Sequence, residues 1–278
     1  MLVEYKHILK LAEEGDYAIP AFNVYNMETV MGVIYAAEEC NSPVILQVYP
    51  RLMKEETGYF LSPVILAAAK HANVPVCFHL DHGPTELEVT RSIRYGATGI
   101  MLDGSAHDFD ENVAITKKVV ETCSYLGIGV EGELGHVGTT NDASMEEFTD
   151  PADAKVFVEK TGVTSLAVLV GNAHGRYKKP PKLDIDRVKA ISDACGIPLV
   201  LHGGSGIPDE EIKKAIHCGI RKINFATDVC YAFLDSVRAM YDLPERVIAV
   251  DNFMKQPIQD TKEFCINKIR LCGAEGKA

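Results

Sequence analysis

Eight short apolar segments alternate with segments of helical periodicity along the 278 residues. This alternation predicts an α/β fold, a (β/α)8 TIM barrel with additional C-terminal helices. The apolar runs are continuous, as in "SLAVLVG" and "IPLVLHGG", which is typical of parallel strands covered on both faces. No Pro/Gly/Ser-rich linker or charge block divides the chain, so we expect a single domain over residues 1–278. A doubly wound open sheet is the structural alternative.

The predicted strands recur at intervals along the whole barrel region. They are Tyr17–Val24, Pro43–Val48, Val74–His82, Thr98–Gly104, Ile128–Leu134, Ser165–Gly171, Pro198–Gly204 and Arg221–Thr227.

The intervening segments carry helix signals. "MLVEYKHILKLAEEGDYAIP" begins the chain as an amphipathic helix, and "METVMGVIYAAEEC" follows the first strand. "DENVAITKKVVETCSYLG" follows the fourth strand, and "DIDRVKAISDACG" precedes the seventh. "PDEEIKKAIHCG" has Pro and acidic residues at its start and Gly at its end, which are helix start and stop signals. The residues from Asp242 onward predict extra helix.

Composition excludes several classes of protein. The 47% hydrophobic and 24% charged residues are ordinary for a globular protein with a large core. The net charge of −11 argues against a nucleic-acid or acidic-membrane binder, although local amides can still bind phosphate. No apolar run approaches the roughly 20 residues of a membrane span, and the N-terminus is unlike a signal peptide. The eight scattered cysteines, without a CxxC pair, indicate free thiols in a reducing cytoplasm.

Ionisable and amide side chains gather where the predicted strands end. Because active sites of such barrels lie at the C-terminal ends of the strands, these residues should share one rim. The residues concerned are Asp81, His82, Asp103, Glu131, Glu133, His174, His202, Asn224 and Thr227.

Three of the rim residues are histidines on different strands, His82, His174 and His202. Three imidazoles with one open position are a standard catalytic zinc arrangement. A lone histidine is more often a hydrogen-bonded core or surface residue, but three at corresponding strand ends, each beside glycine, favour a metal site. His79 should point the other way and act in packing or behind a ligand. We expect no functional role for the histidines on helices and loops, which are His7, His71, His107, His136 and His217.

Glycine-rich turns form a second group. "HGGSG" follows the seventh strand and "NFAT" follows the eighth. Phosphate sites in barrels recur in these two loops, where free backbone amides approach the anion closely. A glycine cluster alone is usually a turn, and it is the position that predicts phosphate binding.

Asp81 precedes His82 and is the third element. Its carboxylate could be a metal ligand, a structural partner or a general acid/base, and we favour acid/base work. The two side chains alternate, so they reach the rim together only if the strand end bends into the Gly83-Pro84 turn. Metal, phosphate pocket and base together suggest cleavage of a phosphorylated ketose.

The chain resembles a known family, the class II, zinc-dependent ketose-bisphosphate aldolases of the fructose- and tagatose-bisphosphate type. The resemblance rests on motifs in order along almost the whole chain. They are "IPAFNVYNME", "FHLDHG", "GIMLDGS", "VEGELG", "GNAHG", "LHGGSGIP", "KINFAT" and the terminal "EGKA".

The resemblance implies a role for individual residues. His82, His174 and His202 would bind Zn²⁺, Glu133 would touch the metal in an alternative position, and Asp81 would exchange a proton with the substrate's C4 hydroxyl. Phosphate and triose contacts are implied for Asn23, Gly175, Gly203, Gly204, Ser205, Asn224 and Thr227. The family also implies a homodimer or homotetramer and a monovalent cation, Na⁺ or K⁺, near the phosphate.

The sequence departs from the family at four places. The loop after strand five reads Gly138-Thr139-Thr140-Asn141-Asp142, with Asn141 in place of the family's proton-handling Glu, so that Asp142 or Glu146 could substitute. Tyr49-Pro50-Arg51 replaces a Ser-Glu-Gly segment, and Asp251-Asn252-Phe253 replaces a late Asp-Pro-Arg. Ala226 occupies a position that is Asp in many fructose-bisphosphate enzymes.

These departures alter the half of the site that is distal to the triose phosphate, and Arg51 is the candidate for distal recognition. The predicted function is reversible cleavage of a ketose bisphosphate or ketose 1-phosphate into dihydroxyacetone phosphate and an aldehyde. A sugar-phosphate isomerase or epimerase using the same metal and phosphate site is one alternative. A non-catalytic accessory subunit is another.

Overall fold

The computed structural model describes residues 1–137, 148–175, 177, 180–243 and 249–278. Eight parallel strands close into a barrel in sequence order, with the last strand paired to the first. The strands are β1 Ile19–Asn23, β2 Val44–Val48, β3 Val76–Gly83, β4 Gly99–Leu102, β5 Gly129–Leu134, β6 Ser165–Val168, β7 Leu199–Leu201 and β8 Ile220–Phe225.

Helices surround this barrel and cover its base. The described helices are α1 Tyr5–Gly15, α2 Met27–Glu39, α3 Pro50–Lys54, α4 Glu56–His71, α5 Glu86–Arg94, α6 Phe109–Ser124, α7 Pro151–Thr161, α8 Ile185–Cys195, α9 Asp209–His217, α10 Thr227–Tyr241 and α11 Val250–Leu271.

The barrel prediction is confirmed, and the open-sheet alternative is wrong because β1 pairs with β8 in parallel. Each predicted apolar segment overlaps one strand, although the observed strands are one to four residues shorter. β3 ends one residue after its predicted end, and β8 begins one residue before its predicted start. The strands are almost entirely buried, as continuous apolar runs require when a sheet is covered by helices outside and side chains inside.

Helix boundaries follow local chemistry. Asn26 and Thr29 form a reciprocal capping box at the start of α2. Asp184 caps the start of α8, and Gly196 ends that helix in the left-handed conformation. The first turn of α9 contains three acidic residues, which favours its N-terminal end electrostatically.

The predicted C-terminal helix is α11, which packs against α2 and α10. Gly32 of α2 permits this close approach, since a Cβ there would lie 2.8 Å from Thr261 Cγ2 of α11. All eight cysteines are free thiols, as predicted. Among the described residues, no helix is both long and apolar enough to cross a membrane.

Candidate active site

A cavity of about 360 Å³ opens at the C-terminal rim of the barrel, where the sequence predicted the site. Its described lining contains most of the predicted site residues. The lining residues are Asn23, Tyr25, Tyr49, Arg51, Asp81, His82, Asp103, His136, Val137, His174, Gly175, Gly203, Ser205, Asn224, Ala226 and Thr227.

A distortion at the end of β3 brings Asp81 and His82 to the rim together. His82 adopts the left-handed conformation, with φ of 46°, and the β3–β4 register shifts between Leu80 and Gly83. A non-glycine residue in this region stores backbone strain, which is common at functional sites. The strand end therefore bends, and this bend lets the side chains of Asp81 and His82 both line the cavity.

The three predicted histidine ligands converge on one point. His82 Nε2 lies 3.3 Å from His174 Nε2 and 2.9 Å from His202 Nδ1. His202 is fully buried below the cavity, while His82 and His174 are partly exposed in its wall. His82 lies at the end of β3 and His202 directly after β7, whereas His174 lies in the segment after β6, six residues beyond the strand end.

The other nitrogen of each histidine ring has an acceptor. His82 Nδ1 donates to Asp103 Oδ2 at 2.7 Å, His174 Nδ1 donates to the Val137 carbonyl at 3.0 Å, and His202 Nε2 donates to Glu131 Oε1 at 2.8 Å. A carboxylate or carbonyl can only accept, so the protons sit on these outer nitrogens. The inner nitrogens of the three rings face one another, which is the arrangement that imidazole ligands of a metal adopt once any proton on these nitrogens is released.

The electrostatics of the site also favour a cation. Burial alone would lower the pKa of His82, but the Asp81, Asp103 and Glu133 carboxylates raise it to about 10. Burial and the neighbouring imidazoles lower the pKa of His174 to about 3, which leaves its ring neutral and able to ligate.

Glu133 lies behind the histidines and does not line the cavity. Its Oε2 is buried without a hydrogen-bond donor among the described residues, 3.7 Å from His82 Nδ1 and 3.6 Å from His202 Nδ1. An unpaired carboxyl oxygen beside the rings of His82 and His202 fits a site for a divalent metal.

Amide donors hold the Asp81 carboxylate. Asn23 Nδ2 donates to Asp81 Oδ2 at 2.8 Å, and Asn224 Nδ2 donates to Oδ1 at 3.2 Å. Gln47 orients the Asn23 amide through a 3.0 Å bond to its oxygen. Burial alone would raise the pKa of Asp81, but His82, His202, Lys222 and the Asn23 bond lower it below the usual value. The carboxylate is therefore ionised at neutral pH and able to accept a proton.

The residues of the predicted anion pocket line the cavity beside the histidines and near the first turn of α10. Gly175 and Gly203 line it with φ of 101° and 63°, conformations that favour glycine. Ala226 and Thr227 precede and begin α10, whose N-terminal N–H groups favour an anion. Ser205 completes the predicted lining and accepts a bond from the Asp228 N–H at 3.2 Å.

Gly204 differs from its prediction as a phosphate contact. Its N–H donates to the Asn224 carbonyl at 3.1 Å, and a Cβ there would lie 2.7 Å from Ile223 Cγ2. The residue packs against β8 and does not line the cavity. Glycine is required at this position for close packing, and its amide is already used.

Tyr25, Tyr49 and Arg51 also line the cavity. Arg51 lies in the short helix α3, with its guanidinium carbon 5.8 Å from the centre of the Tyr49 ring. It supplies the only Lys or Arg side chain among the described lining residues. Asp251, Asn252 and Phe253 lie in α11 and do not line the cavity.

Sequence reasoning missed several residues. His136 was expected to have no role, but it lines the cavity and its Nδ1 lies 3.0 Å from Ser105 Oγ. Glu131 and Asp103 were noted at strand ends without a role, although they orient His202 and His82. Only their position next to the rim residues could have suggested this. The loop Gly138–Asp142, with Asn141, and Glu146 lie outside the described residues.

The chain is similar to known proteins over its whole length. The sequence model of the family "Fructose-bisphosphate aldolase class-II" matches residues 3–277. An uncharacterised protein of Escherichia coli K12, YdjI, is 41% identical over all of both chains. The crystal structure of the YdjI aldolase from that organism superposes with a TM-score of 0.91, at 40% identity and full coverage of both chains. Fructose-bisphosphate aldolase from Campylobacter jejuni, at 22% identity and a TM-score of 0.85 over 100% of this chain and 97% of its own, shares the fold.

The barrel, the rim cavity and the family match define the protein as an aldolase, a carbon–carbon lyase. The chain belongs to the class II fructose-bisphosphate aldolase family. This membership favours the aldolase prediction over the isomerase or epimerase and over the accessory subunit.

Proposed function

We propose that the protein is a zinc-dependent aldolase that reversibly cleaves a ketose 1-phosphate or ketose bisphosphate into dihydroxyacetone phosphate and an aldehyde. The observation that carries the proposal is one cavity at whose floor three imidazoles converge, with an ionised Asp81 and glycine residues of the predicted anion pocket in its lining. Each of these serves a different part of the same substrate.

His82, His174 and His202 would hold the Zn²⁺ ion, with Glu133 close enough to contact it in an alternative position. A zinc ion in this place supplies a Lewis acid that polarises the substrate carbonyl. Asp103, Glu131 and the Val137 carbonyl keep the three rings in the tautomers that ligation requires.

Asp81 is the proposed base. In the cleavage direction its carboxylate accepts the proton of the C4 hydroxyl while the C3–C4 bond breaks. The oxygen at C4 then forms the aldehyde carbonyl, and the electron pair of the broken bond stays on the triose carbon. In the synthetic direction Asp81 returns the proton to the new hydroxyl. The bonds from Asn23 and Asn224 keep both carboxylate oxygens oriented for this transfer.

The C1 phosphate would bind in the anion pocket. Gly175, Gly203, Ser205 and Thr227 line that side of the cavity, and Asn224 lies between this pocket and Asp81. Binding the phosphate there fixes the distance from the carbonyl to the histidines and from the hydroxyl to the base, which converts binding energy into orientation.

A coupled assay for dihydroxyacetone phosphate tests this function. The panel consists of fructose and tagatose bisphosphates, their 1-phosphates, and 1-phosphates with other anionic ends. We expect triose release from at least one substrate, lost on exhaustive chelation and restored by zinc. Interconversion of sugars without triose would favour the isomerase alternative, and full activity after chelation would contradict the proposal.

We further propose that Arg51 recognises an anionic group at the distal end of the substrate. For Arg51→Met, we expect kcat/KM to fall about 10- to 100-fold on a substrate with a distal anion, because a charge-assisted hydrogen bond is lost. A substrate with a neutral distal end should be affected less than about threefold. Steady-state kinetics on matched pairs of substrates measure the difference.

Lys54→Met is the matched control for Arg51. Lys54 lies in the same short helix, but it is exposed and pairs with Glu88 instead of lining the cavity. This variant should leave both substrates unchanged. An equal loss for charged and neutral substrates with Arg51→Met would show that Arg51 has a structural role only.

A further inference from the structure

A cluster of buried polar side chains lies inside the barrel below the three histidines. It consists of Tyr5, Glu131, Ser165 and Lys222, and we call it the base cluster. All four side chains are 0% exposed. A buried lysine and a buried carboxylate are expensive to maintain, so their presence calls for a reason beyond packing.

Glu131 lies at the centre of the base cluster and contacts the site above it. Its Oε1 accepts from His202 Nε2 at 2.8 Å. Its Oε2 accepts from Lys222 Nζ at 2.8 Å and from the Tyr5 hydroxyl at 2.7 Å. Ser165 Oγ lies 2.8 Å from the Tyr5 oxygen and donates to it. One carboxylate thus joins the base of the barrel to a predicted metal ligand.

The two carboxylate oxygens of Glu131 contact different groups, and this difference sets the orientation of His202. If Oε2 is fixed from below, Oε1 can only face the His202 ring. The His202 Nε2–H then points downward, and the unprotonated Nδ1 points toward His82 and His174. Lys222 supplies the positive charge that compensates the buried carboxylate, and it is the only charged donor on Oε2 among the described residues.

The fold builds this arrangement from distant parts of the chain. Lys222 points inward from β8, and Tyr5 enters from α1, which covers the base. Room for the Tyr5 ring comes from two glycines, Gly99 of β4 and Gly129 of β5. A Cβ on Gly99 would lie 2.9 Å from Tyr5 Cβ, and a Cβ on Gly129 would lie 3.1 Å from Tyr5 Cδ1.

We propose that Lys222 is a positioning residue of the metal site: it fixes Glu131, and Glu131 fixes the ring orientation of His202. Tyr5 supports the same carboxylate oxygen with a neutral hydrogen bond. The inference rests on the proposed function only for the presence of the ion and requires no particular substrate. It differs from a purely structural role, in which Lys222 would stabilise the barrel without influencing the metal.

The test measures zinc affinity, by competition with a chelator, and the visible spectrum of the cobalt(II)-loaded protein. Lys222→Met keeps an unbranched side chain, one heavy atom shorter, and removes its charge and donor. We expect zinc binding about 10- to 100-fold weaker, as for other partners of metal-ligating histidines, and altered cobalt bands. Tyr5→Phe should weaken zinc binding about 2- to 10-fold, because it removes one neutral hydrogen bond.

Ile220→Val is the control. Ile220 lies on β8, two residues before Lys222, is 0% exposed and makes no contact with the base cluster's polar atoms among the hydrogen bonds of the described residues. It removes one buried methylene, and thermal unfolding shows how much stability each variant loses. Zinc affinity and the cobalt spectrum should remain those of the unaltered protein.

The possible results separate this inference from the proposed function. Folded Lys222→Met with unaltered zinc affinity and cobalt bands would overturn the positioning role. If Lys222→Met does not fold, Tyr5→Phe decides in the same way, with unaltered affinity overturning the inference. A protein that binds zinc but releases no triose would contradict the proposed function and leave this inference intact. A protein that binds no zinc would contradict both.

Discussion

Asp81→Ala is expected to lower kcat by about 10²- to 10⁴-fold while the protein keeps its zinc. The carboxylate is the proposed acceptor of the C4 hydroxyl proton, and its oxygens bond to the Asn23 and Asn224 amides, not to the rings that would hold the metal. His82 Nε2 lies 4.0 Å from the nearest Asp81 oxygen. Removing the side chain therefore removes the base without removing a histidine ligand. Single-turnover kinetics and elemental analysis of the same preparation measure the two quantities.

Asp81→Asn is the companion variant, because it keeps the volume of the side chain and removes its basicity. Both variants should lose turnover to a similar degree and show KM values within about threefold of the unaltered protein. Loss of zinc in both variants would contradict the assignment, since Asp81 would then support the metal site. Retention of full turnover in Asp81→Asn would exclude it as the base.

His174→Ala is expected to lose both zinc and turnover. It removes one of three converging nitrogens, leaving His82 Nε2 and His202 Nδ1 at 2.9 Å from each other. Two imidazoles bind a divalent ion far more weakly than three, so we expect zinc affinity to fall by at least about 10³-fold, with activity below detection in metal-limited buffer. Chelator competition and activity titrated against added zinc provide the measurements.

His136→Ala is the matched control for His174→Ala. Both imidazoles line the cavity, but the His136 ring contacts Ser105 and is not part of the histidine triad. The control should keep its zinc. Equal loss of zinc from both variants would mean that a general disturbance of the cavity, not the loss of a ligand, explains the His174 result.

Local pattern was enough to predict the barrel and its rim. Eight buried strands separated by helices leave little choice of architecture, and the position of a residue at a strand end indicates the rim on which it lies. For that reason His82, His174 and His202 could be grouped although 120 positions separate the first from the last. The distances between their nitrogens show that the three histidines lie next to one another.

Local sequence pattern could not predict which neighbouring side chains face the cavity or which backbone amides are free. Alternation along β3 places Asp81 and His82 on opposite faces, and only the left-handed backbone at His82 lets both reach the cavity. The resemblance implied that Gly203 and Gly204 both contact the phosphate. In the structure the Gly204 N–H instead donates to the Asn224 carbonyl. No role was predicted for His136, because its neighbours in the sequence do not indicate that it lines the cavity.

The sequence by itself determined the barrel, the rim at which the three histidines and Asp81 were expected, and the resemblance to the aldolase family. Periodicity, strand ends and motifs are properties of consecutive residues. Only the tertiary structure decided which ring nitrogens of the histidines face acceptors, that Arg51 lines the cavity, and that Lys222, Glu131 and His202 form a buried contact. These depend on distances between residues from different strands and helices. Closure and close packing of the barrel fix such distances, and no single segment contains them.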